Sequence, residues 1–201
     1  MVNNPKFDQV AGDMEKDLFR GELVKLTVDE PKTVAESFSR WVRDTEYWRL
    51  ANSNPVRAFS SKAVKDWLEK NPENTRGDQF IFSIRTLQDD ILIGDVGLDG
   101  VLWSHGDAFV GVGIGDREYW GKGYGTDAMR LILRYAFIEL SLQRISLNVF
   151  EYNLRAIRSY EKLGFVHEGR SRAVLKRDGR RCDLVFMGIL RKEWLDQHPD
   201  G

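Results

Sequence analysis

Residues 117–126 read Arg-Glu-Tyr-Trp-Gly-Lys-Gly-Tyr-Gly-Thr, a glycine-rich turn that runs straight into an amphipathic helical pattern. Its chemistry is that of an anion cradle. Gly121, Gly123 and Gly125 alternate, and without Cβ atoms the backbone can wrap a ligand and take dihedrals that other residues avoid. Amide groups of Gly121, Lys122, Gly123, Tyr124, Gly125 and Thr126 can then converge on a pyrophosphate, which the unpaired N–H groups and positive dipole end of the next helix also face. A tight connection with no ligand fits a lone motif of this size equally well. Spacing excludes two familiar phosphate fingerprints, Gly-x-Gly-x-x-Gly with an acidic residue about 20 positions on and Gly-x-x-x-x-Gly-Lys-Ser/Thr.

A second segment carries proton and anion chemistry: Asn153-Leu-Arg155-Ala156-Ile-Arg158-Ser-Tyr160-Glu-Lys162-Leu163-Gly164-Phe165. The Tyr160 phenol, with an ordinary pKa near 10, is a proton donor at neutral pH; helical spacing alone fits a half-buried core aromatic as well. Asn153 suits a helix N-cap. Lys122, Arg155 and Arg158 are cations able to reach phosphates, Lys122 foremost because it lies inside the turn, although exposed basic side chains are usually just solvated.

These residues need elements to hold them. Before the turn, Ala108–Ile114 is a small, β-branched and apolar run that reads as a buried strand. After it, Ala128, Leu131, Ile132, Tyr135 and Ala136 recur at helical spacing, with Asp127, Arg130 and Arg134 on the other side, so a helix is expected over about 125–140. Arg144–Phe150 alternates as a strand, and the helix that follows can end on Gly164. Phe80–Thr86 and Ile91–Leu98 add strands around a Gln88-Asp-Asp90 turn, and Glu22–Thr27 is the first strand. Between 28 and 79 the patterns are helical and aromatic, interrupted at 52–55 and 71–74.

Taken together, Trp120-Gly-Lys-Gly-Tyr-Gly-Thr126 and Asn153-x-x-Ala156-x-x-x-Tyr160-x-Lys162-Leu163-Gly164-Phe165, joined by one helix and one strand, resemble the GNAT N-acetyltransferases, in particular their RimJ/RimL-type branch. The resemblance is strongest over about 91–190. It implies an α/β fold with a mixed, mainly antiparallel sheet of about seven strands, splayed where acetyl-CoA enters, and helices on both faces. The domain would span 21–195, between an N-terminal extension (1–20) and a C-terminal tail (196–201). The implied activity is direct transfer of an acetyl group from acetyl-CoA to a primary amine of a peptide N-terminus or small molecule. A polyamine or aminoglycoside acetyltransferase is an alternative on the same scaffold, and a non-catalytic acyl-CoA-sensing or peptide-binding module is a second. By similarity, the strand end Gly113-Ile114-Gly115 holds the acyl carbonyl and pantetheine arm, Trp120 takes a position usually held by Gln or Arg, Asn153 and Ala156 lie beside that arm, and Tyr160 protonates the departing thiolate.

Acetyl transfer also needs a neutral amine. Some relatives place a carboxylate on the strand before the glycine turn, where this chain has Val110 and Val112. A water relay is the default, with Asp95, Asp107, Glu22 and Glu46 as the available carboxylates. In that fold the 28–79 helices roof the acceptor site, which Trp41, Trp48 and Phe59 would line; aromatics at this spacing also serve as core.

Composition is consistent with these readings. A chain of 201 residues, 42% hydrophobic, can bury one core. A net charge of −1 argues against nucleic-acid binding by bulk electrostatics. Arg170, Arg172, Lys176, Arg177, Arg180 and Arg181 nevertheless surround Asp178-Gly179, a hairpin signal whose basic tip is a solvated edge or a rim beside the acceptor. A single cysteine, Cys182, fits a reducing cytoplasm. No apolar leader or membrane-length stretch is present, and no metal is expected. The expected partners are acetyl-CoA and an amine acceptor, with no nucleic acid and no membrane; self-association into a homodimer is left open.

Overall fold

Side chains alternate between the two faces of a β-sheet, and here that alternation separates core from site. The computed structural model describes residues 17–70 and 77–199; the polar stretch at 1–16 and the punctuation at 71–74 lie outside the described residues. The elements are β1 (Val24–Thr27), α1 (Pro31–Trp41), α2 (Thr45–Ala51), α3 (Ser61–Lys70), β2 (Phe80–Thr86), β3 (Leu92–Leu102), β4 (Asp107–Ile114), α4 (Tyr124–Arg134), β5 (Arg144–Phe150), α5 (Leu154–Lys162), β6 (Val166–Arg177), β7 (Arg180–Leu190) and α6 (Arg191–Gln197). The seven strands form one sheet in the order β1-β2-β3-β4-β5-β7-β6. All neighbours are antiparallel except β4 and β5.

One face is the core. Val24, Leu26, Ile84, Val96, Leu98, Ala108, Val110, Ile145, Leu147, Met187 and Ile189 are buried there with Ala128, Leu131 and Ile132 of α4. Burying each of the Val, Leu, Ile and Met side chains among these contributes about 1.5–3 kcal/mol, so the helical spacing read from the sequence is enforced by packing. Tyr135–Glu139 continues α4 as a wider turn and keeps Ala136 and Phe137 buried. The hairpin turn forms as its sequence predicts, with Asp178 and Gly179 at φ 47° and 76° between β6 and β7.

Asp127 departs from the expected polar face. It is 3% exposed, and its Oδ2 accepts from the Leu23 and Val24 N–H groups at 2.8 and 3.0 Å, pinning β1 to α4. Its partners lie more than 100 residues away, so local periodicity could not show this. The domain edges are also packed. Phe19 packs against the tilted rings of Phe82 and Tyr135 at 5.1 and 5.6 Å, and α6 continues past residue 195, with Trp194 buried against Phe137 at 5.6 Å. Among the described residues no helix is long and apolar enough to cross a membrane.

Candidate active site

The parallel pairing of β4 with β5 stops early. Asp107, Ala108 and Phe109 pair with Arg144, Ile145 and Ser146, and from there Val110–Ile114 and Leu147–Phe150 diverge. β4 stays paired to β3 as far as Ile114, so its opposite edge loses its neighbour and presents free backbone groups, which must find other partners. The gap opens into a cleft of about 960 Å³. Its walls are Gly113, Ile114, Trp120 and the glycine turn on one side, and Asn153, Arg155, Ala156, Arg158, Ser159, Tyr160 and Lys162 on the other.

The glycine turn is shaped for an anion. Gly121 and Gly123 sit at φ 71° and 96°, conformations that L side chains rarely adopt, and Gly123 is the N-cap of α4 with no side-chain cap. The first amide groups of α4 therefore face the cleft end without side-chain partners. Gly121, Gly123, Gly125 and Thr126 line the cleft. The Thr126 and Ser159 hydroxyls lie 2.7 Å apart and tie the start of α4 to α5.

Trp120 has a role that sequence alone did not supply. Its indole N–H donates to the Ile114 carbonyl at 2.7 Å, fixing the end of β4. Arg155 lies over the ring at 4.0 Å and Arg117 at 5.4 Å, the geometry of cation–π contacts. Asn153 Oδ1 accepts from the Ala156 N–H at 3.3 Å and so caps α5 while lining the cleft. Tyr160 is both a core aromatic and a cleft residue: 9% exposed, 5.9 Å from the Phe165 ring, and open to the cleft. Burial pushes its phenol up to about 12, so it is protonated throughout the neutral range.

Three residues take other places. Lys122 is exposed and, like Tyr124, does not line the cleft; Tyr124 instead packs on Tyr119 at 5.2 Å. The cations along the wall are Arg155, Arg158 and Lys162. Gly115 lies under Trp41, where a Cβ would meet the indole at 1.9 Å, and so serves close packing.

The other sheet face forms the floor of the rest of the cleft. Ile81, Asp95, Gly97, Asp99, Phe109, Gly111 and Gly113 lie on it, in cross-strand register Ser83–Asp95–Gly113 and Ile81–Gly97–Gly111. Val110 and Val112 belong to the core side, and the one carboxylate of β4, Asp107, sits at its start and does not line the cleft. Phe38, Tyr47 and Trp48 cover it. Trp41, Val42, Tyr47, Trp48 and Leu92 form their own small core, with Phe59 packed against it, so Trp41 and Phe59 support the roof rather than line the cleft. The Trp48 indole donates to the Asn54 and Pro55 carbonyls at 3.2 and 3.0 Å. Tyr47, absent from the sequence-derived candidates, is 5% exposed, and burial together with the Asp95 charge raises its phenol further above the ordinary range.

Asp95 stays open to the cleft, yet crowding by the surrounding protein pushes its carboxyl up to about 6. The other candidate carboxylates are elsewhere. Asp107 sits where β4 begins, Glu22 pairs with Arg130 at 3.9 Å and Glu46 with Arg117 at 2.7 Å, and none lines the cleft.

The basic hairpin docks on the end of α2 at the edge of the cleft. Asp178 pairs with Arg49 at 2.5 Å, Arg177 donates to the Asn52 carbonyl at 2.5 Å, and the Tyr152 hydroxyl donates to the Arg49 carbonyl at 2.7 Å. Ala51 and Asn52 themselves line the cleft.

Known proteins share this arrangement. Residues 23–166 match the acetyltransferase (GNAT) domain family. The probable N-acetyltransferase YjcK of Bacillus subtilis is 38% identical over 165 residues, covering 82% of this chain and 84% of that one. The putative ribosomal N-acetyltransferase YdaF of Bacillus subtilis is 34% identical over 149 residues, covering 73% and 78%. Among solved structures, the spermidine N-acetyltransferase from Vibrio cholerae in complex with CoA and spermine superposes with a TM-score of 0.75 at 24% identity, covering 86% and 98%, which bears on the fold. A strand pair that opens beside a glycine turn at a helix N-terminus, on a chain matched over most of its length, identifies the protein as a member of the GNAT acetyltransferase family that uses acetyl-CoA as its acyl donor.

Proposed function

We propose that this chain acetylates a primary amine, that of a peptide or protein N-terminus or of a small molecule, by direct attack of the amine on the thioester, in the manner of the RimJ/RimL-type branch. The observation that carries this reading is the convergence of the diverging β4 end, the glycine turn and the Tyr160 side chain on one cleft. The turn amides and the α4 N-terminus suit the pyrophosphate. Free backbone groups along Val110–Ile114 suit the pantetheine amides and the carbonyl oxygen on which charge develops. Arg155, Arg158 and Lys162 are placed for further phosphate contacts. Tyr160, kept neutral by burial, donates its hydroxyl hydrogen toward the sulfur as the C–S bond breaks.

The acceptor end disfavours a polycation. Its lining carboxylates are Asp95 and Asp99, the cations of the lining belonging to the phosphate wall, but the basic hairpin stands beside it. An acceptor with an acidic flank therefore suits it better than spermidine. The polyamine reading is favoured by the likeness to the spermidine N-acetyltransferase of Vibrio cholerae. Thiol release from acetyl-CoA, measured with an acidic-flanked peptide amine, phenethylamine and spermidine, separates these readings. Peptide turnover supports ours. Spermidine turnover without peptide activity selects the polyamine reading. Acetyl-CoA binding with no thiol release from any of the three points to a non-catalytic module.

A further inference from the structure

We propose that Asp95 is the carboxylate that receives the acceptor's ammonium group and takes its proton before the nitrogen attacks the thioester. This rests on the acetyltransferase reading above and assigns the group that frees the nucleophile.

Position comes first. Asp95 is on β3, paired in register with Gly113 at the end of β4 that borders the opening between β4 and β5. Gly113 is what gives the carboxylate room. A Cβ there would stand 3.3 Å from Asp95 Oδ1 and 3.3 Å from the Tyr47 hydroxyl, so both oxygens flank the space a side chain would fill. The strand expected to hold the acyl group thus leaves a side-chain-free gap, walled by a carboxylate and a phenol.

Availability comes second. Among the described residues the Asp95 carboxylate has no ion pair and no hydrogen-bond donor. Asp99, the other carboxylate of the cleft, accepts from Gln79 at 2.7 Å. A carboxylate at the edge of this gap without a cation lacks the stabilisation that pairing gives. A substrate ammonium group is the partner that the site lacks.

The surroundings suit proton transfer. Facing Asp95 are Ser83 on β2, Gly113 on β4 and Tyr47 on α2. On the same strand face lies Asp99; on β2, Arg85 is engaged by Asp29 at 2.5 Å. Desolvation raises the Asp95 carboxyl to about 6, close to the operating pH at which a base is most effective. Tyr47 stays neutral beside it and keeps its hydroxyl as a donor.

The atoms balance. The ammonium group gives one proton to the Asp95 carboxylate, and the free amine forms the N–C bond while the C–S bond breaks. The sulfur takes a proton from Tyr160, and the nitrogen's second proton returns through water to the tyrosyl oxygen. Asp95 then releases its proton to solvent, so the net products are amide, thiol and one proton.

The test uses the full chain and its Asp95→Asn and Asp95→Glu variants, with phenethylamine and the acidic-flanked peptide amine as probes. For Asp95→Asn, kcat/KM at neutral pH should fall roughly 10²-fold or more. The acidic limb of the wild-type profile, near pH 6, should vanish, and acetyl-CoA affinity should stay within about twofold. Asp95→Glu should recover part of the rate together with an acidic limb. An Asp95→Asn enzyme with wild-type rate and pH profile overturns the assignment while leaving the acetyltransferase reading intact. If the wild type turns over neither amine, calorimetry of phenethylamine into CoA-saturated protein decides. Affinity lowered about tenfold or more by Asp95→Asn supports the assignment, whereas equal affinity, or no binding to wild type, overturns it.

Discussion

Replacing Tyr160 with phenylalanine isolates one atom of the proposed chemistry, and the structure sets the size of the effect. The ring is buried beside Phe165, and no hydrogen bond to the phenol is present among the described residues. Tyr160→Phe should therefore leave folding and acetyl-CoA affinity nearly unchanged. A phenol raised to about 12 cannot simply hand its proton to a thiolate whose ordinary pKa is about 8.5, because complete transfer is uphill by ~5 kcal/mol. Burial of the sulfur in the same cleft narrows that gap by raising its own pKa. What the hydroxyl offers early is a hydrogen bond that strengthens as negative charge gathers on sulfur, contributing about 1.5–3 kcal/mol. Losing it should lower kcat roughly 10- to 150-fold. Thiol release under saturating acetyl-CoA and amine reads this directly, with a rapid-quench experiment to establish that chemistry limits the wild-type rate. The variant should show no loss of an alkaline limb below pH ~10, since the wild-type phenol is still protonated there. A chemistry-limited phenylalanine enzyme with wild-type kcat would refute the reasoning and leave water to protonate the sulfur.

Gly123→Val forces a β-branched residue to φ 96° and fills space at the start of α4; it should weaken acetyl-CoA binding more than about tenfold, ~1.4 kcal/mol, by calorimetry. Unchanged affinity in a folded variant would remove the cradle. Asp127→Ala strips the part-buried Leu23 amide and the buried Val24 amide of their acceptor and should cost about 3 kcal/mol in denaturant melts; a loss below ~1 kcal/mol would mean that water replaces the carboxylate. An acidic-flanked peptide amine should show a higher kcat/KM than spermidine, and the gap should shrink at high salt because charges about 8–10 Å apart are then screened. Efficient spermidine acetylation without peptide activity would reverse the choice of acceptor.

The elements that the sequence shows clearly are those whose burial is repetitive. Arg144–Phe150 is a strand with the bounds its alternation predicts, and α4 buries Ala128, Leu131 and Ile132 as their spacing requires. The Asp178-Gly179 turn is set by two residues that tolerate positive φ. Departures occur where a partner is distant. Asp127 looks like a solvent-facing residue until Leu23 and Val24 arrive. Gly115 looks like a ligand-facing glycine until Trp41 covers it. The C-terminal helix runs to Gln197, two residues into the expected 196–201 tail, and is held by Trp194, a single buried apolar residue that packs on Phe137.

The site divides along the same line. The glycine turn and the Asn153–Tyr160 helix are local motifs, and Gly121, Gly123, Gly125, Asn153 and Tyr160 reach the cleft because each motif carries its own backbone geometry, such as the Gly123 N-cap and the Asn153 cap. A carboxylate facing the acceptor is a cross-strand property. Scanning β4 for it finds Val110 and Val112, which point into the core, and reading β3 alone gives Asp95 no distinction from other strand aspartates. Asp95 becomes special through its register with Gly113, the break in pairing beyond Phe109 and the roofing by Tyr47. A glycine at position 113 is thus informative for what it leaves empty. The side chain missing from one strand gives the neighbouring strand's acid its access to the reacting nitrogen, and a residue with a Cβ there would press on both oxygens that wall the gap.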